Sequence, residues 1–145
     1  MQIPKQVDYG VRALVDLAIN HKSGLARTSD IAKRQNIPEP YLAQVLHSLQ
    51  RNGLTEAQRG PLGGHSLKMD PSLITMGMVM RSLDGTQTLI GCLDDTLACC
   101  HSAQCGQRNI WRNVEQAIWQ VLDSTSISDL TEESKPSKNN IAQNS

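Results

Sequence analysis

Thr28-Ser29-Asp30-Ile31-Ala32-Lys33-Arg34-Gln35-Asn36-Ile37-Pro38-Glu39-Pro40-Tyr41-Leu42-Ala43-Gln44-Val45-Leu46-His47-Ser48-Leu49-Gln50-Arg51-Asn52-Gly53 is the stretch on which the fold turns. Thr28, Ser29 and Asp30 are capping types, expected to open a short helix before Ile31 and Ala32. That helix ends near Asn36, because Pro38 offers no N–H and cannot continue it. Pro40 suits a first helical position, where an N–H has no intrahelical partner, and Glu39 complements the positive end of the dipole there. The second helix runs from about Pro40 to Asn52 and stops at Gly53, a residue favoured just past a helix end. Leu42, Val45, Leu46 and Leu49 recur at helical spacing as a stripe to be buried, and Pro40, Ala43, Gln44, His47 and Arg51 project opposite them. Short helix, sharp turn and longer helix with a polar outer row make the helix-turn-helix pattern.

Working outward, Leu54 to Arg59 and His65 to Met69 are two short runs joined by Gly60-Pro61-Leu62-Gly63-Gly64. A connection this rich in glycine predicts a hairpin with a flexible tip. A plain structural hairpin would account for the glycines equally well, but the order of elements favours the wing of a winged helix, with Arg59 and His65 able to reach phosphates or a minor groove. The candidate DNA-facing residues are then Thr28 and Ser29 at the first helix start and Pro40, Tyr41, Ala43, Gln44, His47 and Arg51 on the second. Arg59, Gly63, Gly64 and His65 complete the set in the wing.

Upstream, Val7, Val11, Leu14, Val15 and Ala18 predict a helix over 7–19, with Asp8 in its first turn and Arg12 one turn on, placed to pair with it. Downstream, Leu73 to Leu83 predicts a helix whose Met76, Met78 and Met80 fill a core or an interface. Gln107 to Leu122 predicts the longest helix. Ile110, Val114, Ala117, Ile118, Val121 and Leu122 share one face of it, widened by Trp111 and Trp119. So broad a stripe exceeds what a small winged helix covers, and a second copy of the chain is the economical partner. After Leu130 the composition turns polar and a disordered tail is expected. The fold class is mainly α, with a winged helix-turn-helix domain at 1–84, a cysteine-rich loop at 85–106, a dimerisation helix at 107–130 and a tail at 131–145.

The net charge is zero, but residues 1–70 carry a balance of +3 and residues 71–145 one of −3. The basic front half leaves nucleic acid open as a partner. Aromatic residues are 3% and there is no Phe, which argues against base-stacking platforms for single strands. No run is long and apolar enough for a signal peptide or a membrane span, so a cytoplasmic protein without a membrane partner is expected.

All four cysteines, Cys92, Cys99, Cys100 and Cys105, fall within fourteen residues, and His101 lies among them. Disulfides would need an oxidising compartment, to which nothing else in the sequence points. Structural zinc usually takes pairs of ligands two to four residues apart, whereas six residues separate Cys92 from Cys99 and five separate Cys99 from Cys105. Such spacing suits an iron–sulfur cluster, whose irons are reached from separate directions. Cys99 and Cys100 are too close in sequence to serve one cluster together. Three thiolates therefore remain, and a fourth ligand comes from elsewhere.

The chain resembles the bacterial winged-helix transcription regulators of the IscR/NsrR type over about residues 1–130. The resemblance rests on Val-Asp-Tyr-Gly-Val-Arg-Ala-Leu at 7–14, Ile-Pro-Glu-Pro-Tyr-Leu-Ala-Gln-Val-Leu at 37–46, Arg-Gly-Pro-Leu-Gly-Gly-His at 59–65 and the cysteines at 92, 99 and 105. It implies a homodimer with crossed carboxy-terminal helices, recognition helices in successive major grooves of a palindromic double-stranded operator, and a cluster near the dimer interface. Two departures stand out. The first cysteine gap is one residue longer than in IscR-like members, and Arg108 stands where they place a histidine ligand. In the nitric-oxide-sensing branch an acidic residue of the partner subunit completes a 4Fe-4S cluster, and Asp8 matches that position. The implied metal ligands are Cys92, Cys99, Cys105 and Asp8, with Cys100 and His101 as alternates and a 2Fe-2S cluster as the second cofactor form.

No Ser/His/Asp or Cys/His set has a catalytic context, and the glycine-rich run leads into a strand instead of a helix, so an enzyme is not expected. The expected function is a cluster-containing DNA-binding regulator, a repressor sensing nitric oxide, redox state or iron–sulfur status. The alternatives are a winged-helix regulator whose cysteine loop binds zinc or no metal, and an iron–sulfur electron carrier or cluster-transfer protein. Gln44, His47 and Arg51 beside a wing weigh against the carrier, which has no use for them.

Overall fold

The computed structural model describes residues 3–84 and 106–133. Cys92, Cys99, Cys100, His101 and Cys105 lie outside the described residues. The elements run α1 (Lys5–Ile19), a 3₁₀ turn (His21–Ser23), α2 (Thr28–Gln35), α3 (Glu39–Arg51), β1 (Thr55–Gln58), β2 (Gly64–Leu67), α4 (Met76–Asp84), α5 (Gly106–Ser124) and α6 (Ile127–Glu133). This is a mainly helical winged helix. The antiparallel hairpin pairs Thr55 with Leu67, Glu56 with Ser66, Ala57 with His65 and Gln58 with Gly64.

The core forms where the apolar stripes of α1, α2 and α3 meet. Leu14, Ile31, Leu42, Leu46 and Leu49 are fully buried, joined by Leu54 at the entry to β1, Ile74 and Val79 around α4, and Ile127 of α6. Each such side chain contributes roughly 1.5–3 kcal/mol by leaving water. The α3 stripe is the one its periodicity predicts. Helix α4 starts three residues later than expected, at Met76; α5 slightly exceeds the 107–122 periodicity at both ends, but residues 127–130 of the 107–130 segment lie in a separate helix, α6.

Two local expectations are corrected. Thr28, Ser29 and Asp30 lie inside α2; Arg27 occupies the capping position, without a capping side-chain bond. Thr28 Oγ1 lies 3.1 Å from His65 Nε2, so its hydroxyl faces the wing and not the helix end. At the other end, Thr131, Glu132 and Glu133 belong to α6 and not to an unstructured tail. Ser126 and Asp129 cap that helix reciprocally: Ser126 N donates to Asp129 Oδ2 at 2.9 Å and Asp129 N donates to Ser126 Oγ at 3.2 Å. Buried Ile127 then fixes it to the core.

One buried charge stands out. Asp16 is 2% exposed, accepts from Arg34 Nη2 at 2.7 Å and Nε at 2.9 Å, and accepts from Gln35 Nε2 at 3.0 Å. Its bond is the main reason the Arg34 guanidinium is held above its ordinary pKa. Asp16→Ala removes three donors' acceptor while Arg34, partly exposed, can return to water. The loss expected is therefore about 1.5–3 kcal/mol, the worth of a hydrogen bond to a charged group, read as a lower urea midpoint at unchanged m-value.

Candidate nucleic-acid interface

The turn between α2 and α3 aims the outer row of α3. Asn36 takes the left-handed conformation, φ 54°, which asparagine tolerates better than most residues. Ile37 N then donates to Ala32 O at 3.0 Å, and the Ile37 side chain is buried. Pro38 caps α3, and Leu42 N donates back to its carbonyl at 3.0 Å. Two groups of bonds to α1 hold the end of α2: those of Asp16 with Arg34 and Gln35, and Arg12 Nη1 donating to Gln35 O at 3.2 Å. With the turn fixed and the inner stripe buried, Pro40, Tyr41, Ala43, Gln44, His47 and Arg51 are all exposed.

The wing is tied to the start of α2. Ala26 and His65 exchange backbone bonds, Ala26 N to His65 O at 3.0 Å and His65 N to Ala26 O at 2.7 Å. Arg27 Nη2 donates to the carbonyl of Pro61 at the wing tip. A Cβ on Gly63 would lie 2.2 Å from Gln58 O, and one on Gly64 would lie 2.8 Å from Ala26 O, so both glycines are there for backbone approach. Arg59 is exposed near the tip, while Thr28, Ser29, Gly63, Gly64 and His65 are only partly exposed. His65 is thus a root of the wing more than a projecting group. Its Nδ1 is buried without a partner among the described residues, and burial pushes its pKa below the ordinary value. Arg27 is the residue that sequence reasoning missed here; a cation directly before a helix gave no signal that it would reach the hairpin.

Asp8 sits on the opposite end of α1 from the wing. Arg12 Nη2 donates to Asp8 Oδ2 at 2.6 Å and Arg12 Nε to Asp8 Oδ1 at 3.2 Å, and both side chains are nearly half exposed. The guanidinium also lies 5.7 Å from the centre of the Tyr9 ring. Farther along, α5 presents Ile110, Val114, Ala117 and Val121 to solvent, with Ile110 61% and Val121 63% exposed. Ile118, Trp119 and Leu122 are partly covered, so the broad apolar face expected there divides into an inner and an outer half. Among the described residues no helix is long and apolar enough to cross a membrane.

Comparison with known proteins agrees with this architecture. The model of the Rrf2 family, described as iron-dependent transcriptional regulator, matches residues 3–133. The HTH-type transcriptional regulator CymR of Bacillus subtilis is 32% identical over 130 residues, 90% of this chain and 89% of that protein. The HTH-type transcriptional regulator IscR of Aliivibrio salmonicida is 31% identical over 130 residues, 90% of this chain and 77% of that one. Among solved structures, CymR, the global cysteine regulator of B. subtilis, superposes with a TM-score of 0.78 at 30% identity, covering 92% of this chain and 98% of its own. IscR of T. potens gives 0.77 at 28% identity, covering 98% and 96%. These relatives are named as transcriptional regulators, not enzymes.

The half-buried His65 should make the wing root sensitive to acid. A histidine whose folded pKa lies below its ordinary 6.5 binds fewer protons folded than unfolded, so its contribution to stability is complete above that value and is lost as pH falls below it. Thermal unfolding followed between about pH 7.5 and 5.5 should show a falling midpoint. His65→Gln, which keeps a hydrogen-bonding group beside Thr28 but cannot titrate, should flatten that decline.

Proposed function

Because this chain belongs to the Rrf2 family of transcriptional regulators, we propose that it is a homodimeric repressor that reads a palindromic operator and answers to nitric oxide, redox state or iron–sulfur supply through an iron–sulfur cluster. The observation that carries the DNA reading is the row Pro40, Ala43, Gln44, His47 and Arg51, exposed on a helix whose other side is buried. A helix anchored in this way can lay its outer face into a major groove while the wing follows the adjacent backbone. Gln44 suits bidentate contact to an adenine edge, and Arg51 and Arg59 suit guanine or phosphate.

A second copy of the chain is the partner for α5. Ile110, Val114, Ala117 and Val121 lie three or four residues apart along one exposed line, and a two-fold axis across such a line buries it against itself. Two copies of α3 would then face successive turns of one duplex.

The sensing reading rests on the donor set. Cys92, Cys99 and Cys105 of one subunit with Asp8 of the other would hold a 4Fe-4S cluster; Cys100 and His101 are the substitute ligands, and 2Fe-2S is the second form. The carboxylate fits, since nearly half of it is exposed and its ion pair with Arg12 is of the surface kind, worth about 0–1 kcal/mol. Such a cluster supplies redox and ligand-exchange chemistry when bound. The chain's own part is the connection from Asp8 through Arg12 to the carbonyl of Gln35, at the turn that aims α3. Changing what Asp8 binds changes what holds that turn. The likeness to CymR, described as a global cysteine regulator, favours a second reading in which the loop holds zinc or no metal and the signal is linked to cysteine.

Three experiments test the proposal. Gln44→Ala should relax sequence preference by about 1–3 kcal/mol at one base pair, whereas Arg59→Ala should weaken binding evenly and lessen its salt dependence; equal losses on selected and random duplexes from both variants would overturn the assignment. Ile110→Glu with Val121→Lys, both exposed positions, should give folded monomers by light scattering; a native protein already monomeric at micromolar concentration would remove the dimer. Anaerobic reconstitution with iron and sulfide assay should show a cluster in native protein, none in Cys99→Ala, a more labile one in Asp8→Ala and a native one in Cys100→Ala. Zinc or no metal in every sample selects the second reading.

A further inference from the structure

Helix α5 is fastened to the rest of the chain at its carboxy-terminal end, and the fastening has a defined geometry. Arg81 of α4 donates from Nη1 to Asp123 Oδ1 at 2.8 Å and from Nη2 to Asp123 Oδ2 at 3.0 Å, a bidentate fork. The same guanidinium lies 4.3 Å from the centre of the Trp119 ring, one turn earlier on α5. Asp123 reaches this position across Gly77, where a Cβ would come within 1.9 Å of its Oδ1. Just beyond, Met76 N donates to Thr125 O at 2.9 Å and Ile127 N to Ile74 O at 2.8 Å. On its other side α4 meets the end of the recognition helix: Asn52, directly after α3, approaches Ser82 O at 3.4 Å, and Val79 and Met80 are buried.

An exposed ion pair of this kind adds little to stability, because both partners are well solvated when apart. Both Arg81 and Asp123 are 44% exposed. What a planar fork stacked on an aromatic ring supplies is direction, since guanidinium, carboxylate and indole must keep one mutual orientation. Among the described residues, this clamp joins the last turn of α4 to the side of α5 opposite its exposed apolar line.

We propose that Arg81, seated on Asp123 and Trp119 over the bare backbone of Gly77, is a positioning residue that fixes the angle between α5 and the α3–α4 unit, and so selects the spacing of the two half-sites the dimer accepts. The inference rests on the dimeric DNA-binding reading above. If α5 pairs with its copy, a small rotation at Arg81 is carried along the helix and moves the two α3 helices relative to each other, while each α3 keeps its own base contacts.

The experiment uses the full chain. A duplex is first recovered from random DNA with native protein, then remade with the spacer between half-sites lengthened or shortened by single base pairs, alongside a single half-site. Native protein should prefer one spacing. Arg81→Gln should remain dimeric by light scattering, unfold at nearly the native temperature and bind the single half-site as native does, yet discriminate between best and next spacing about tenfold less. Asp123→Asn should behave likewise, and Arg81→Lys, which keeps the charge without the fork, should recover only part of the discrimination. Unchanged discrimination in a dimeric Arg81→Gln overturns the proposal, and so does a monomeric Arg81→Gln, which would make the clamp a device of association. Native protein that is itself monomeric or selects no paired half-sites overturns the dimeric DNA-binding reading, and the proposal falls with it.

Discussion

A carboxylate taken out of water holds the reading head together. Asp16 sits among apolar side chains of α1 and satisfies its two oxygens with Arg34 and Gln35, the last two residues of α2. Burying an unpaired carboxylate would cost far more than the helix packing there could offset, so the pair ties the end of α2 to α1. Everything that aims α3 follows within three residues: the left-handed Asn36, buried Ile37, and Pro38 at the helix cap. The placement of Gln44 and Arg51 therefore depends on a bond in which neither takes part.

The wing and the carboxy-terminal helices are attached by the same kind of device. Ala26, Arg27 and Thr28 hold the hairpin at His65 and Pro61, so the start of α2 carries the wing as its end carries α3. Arg81 and Asp123 hold α5 against α4, and the Thr75–Ser126 bridge lets α6 return to the core. Each attachment is polar and specific in direction, laid over a core that is nearly all aliphatic. The core supplies most of the free energy; the polar attachments decide how the pieces are oriented, because hydrogen bonds are directional and apolar burial is not.

The proposed sensing is consistent with this construction. Asp8 is joined through Arg12 to the carbonyl of Gln35, the residue that also contacts Asp16. The candidate ligand and the structural carboxylate thus meet at one residue, directly before the turn that sets α3. The bonds that join Asp8 to that turn are polar and do not run through the apolar core.

The sequence by itself determined helices α1 to α5, the turn between the second and third, the wing and the outer row of α3. Those features follow from spacings of a few residues, from proline and glycine chemistry, and from the order of elements. Leu42, Val45, Leu46 and Leu49 had to be inside because no other face of that helix is apolar. Even the capping pair Ser126 and Asp129 was written locally, though within a segment, 107–130, that reads as one dimerisation helix. Tertiary structure alone decided which polar side chains pair across distant parts of the chain. Asp16 bonds Arg34 across 18 residues, Thr28 meets His65 across 37, and Arg81 meets Asp123 across 42. Thr28 reads as a cap and serves the wing, and His65 reads as a contact and is half buried at its root. A charged or hydroxyl side chain has many acceptable partners within reach of its stem, and only the packed backbone leaves one of them in place.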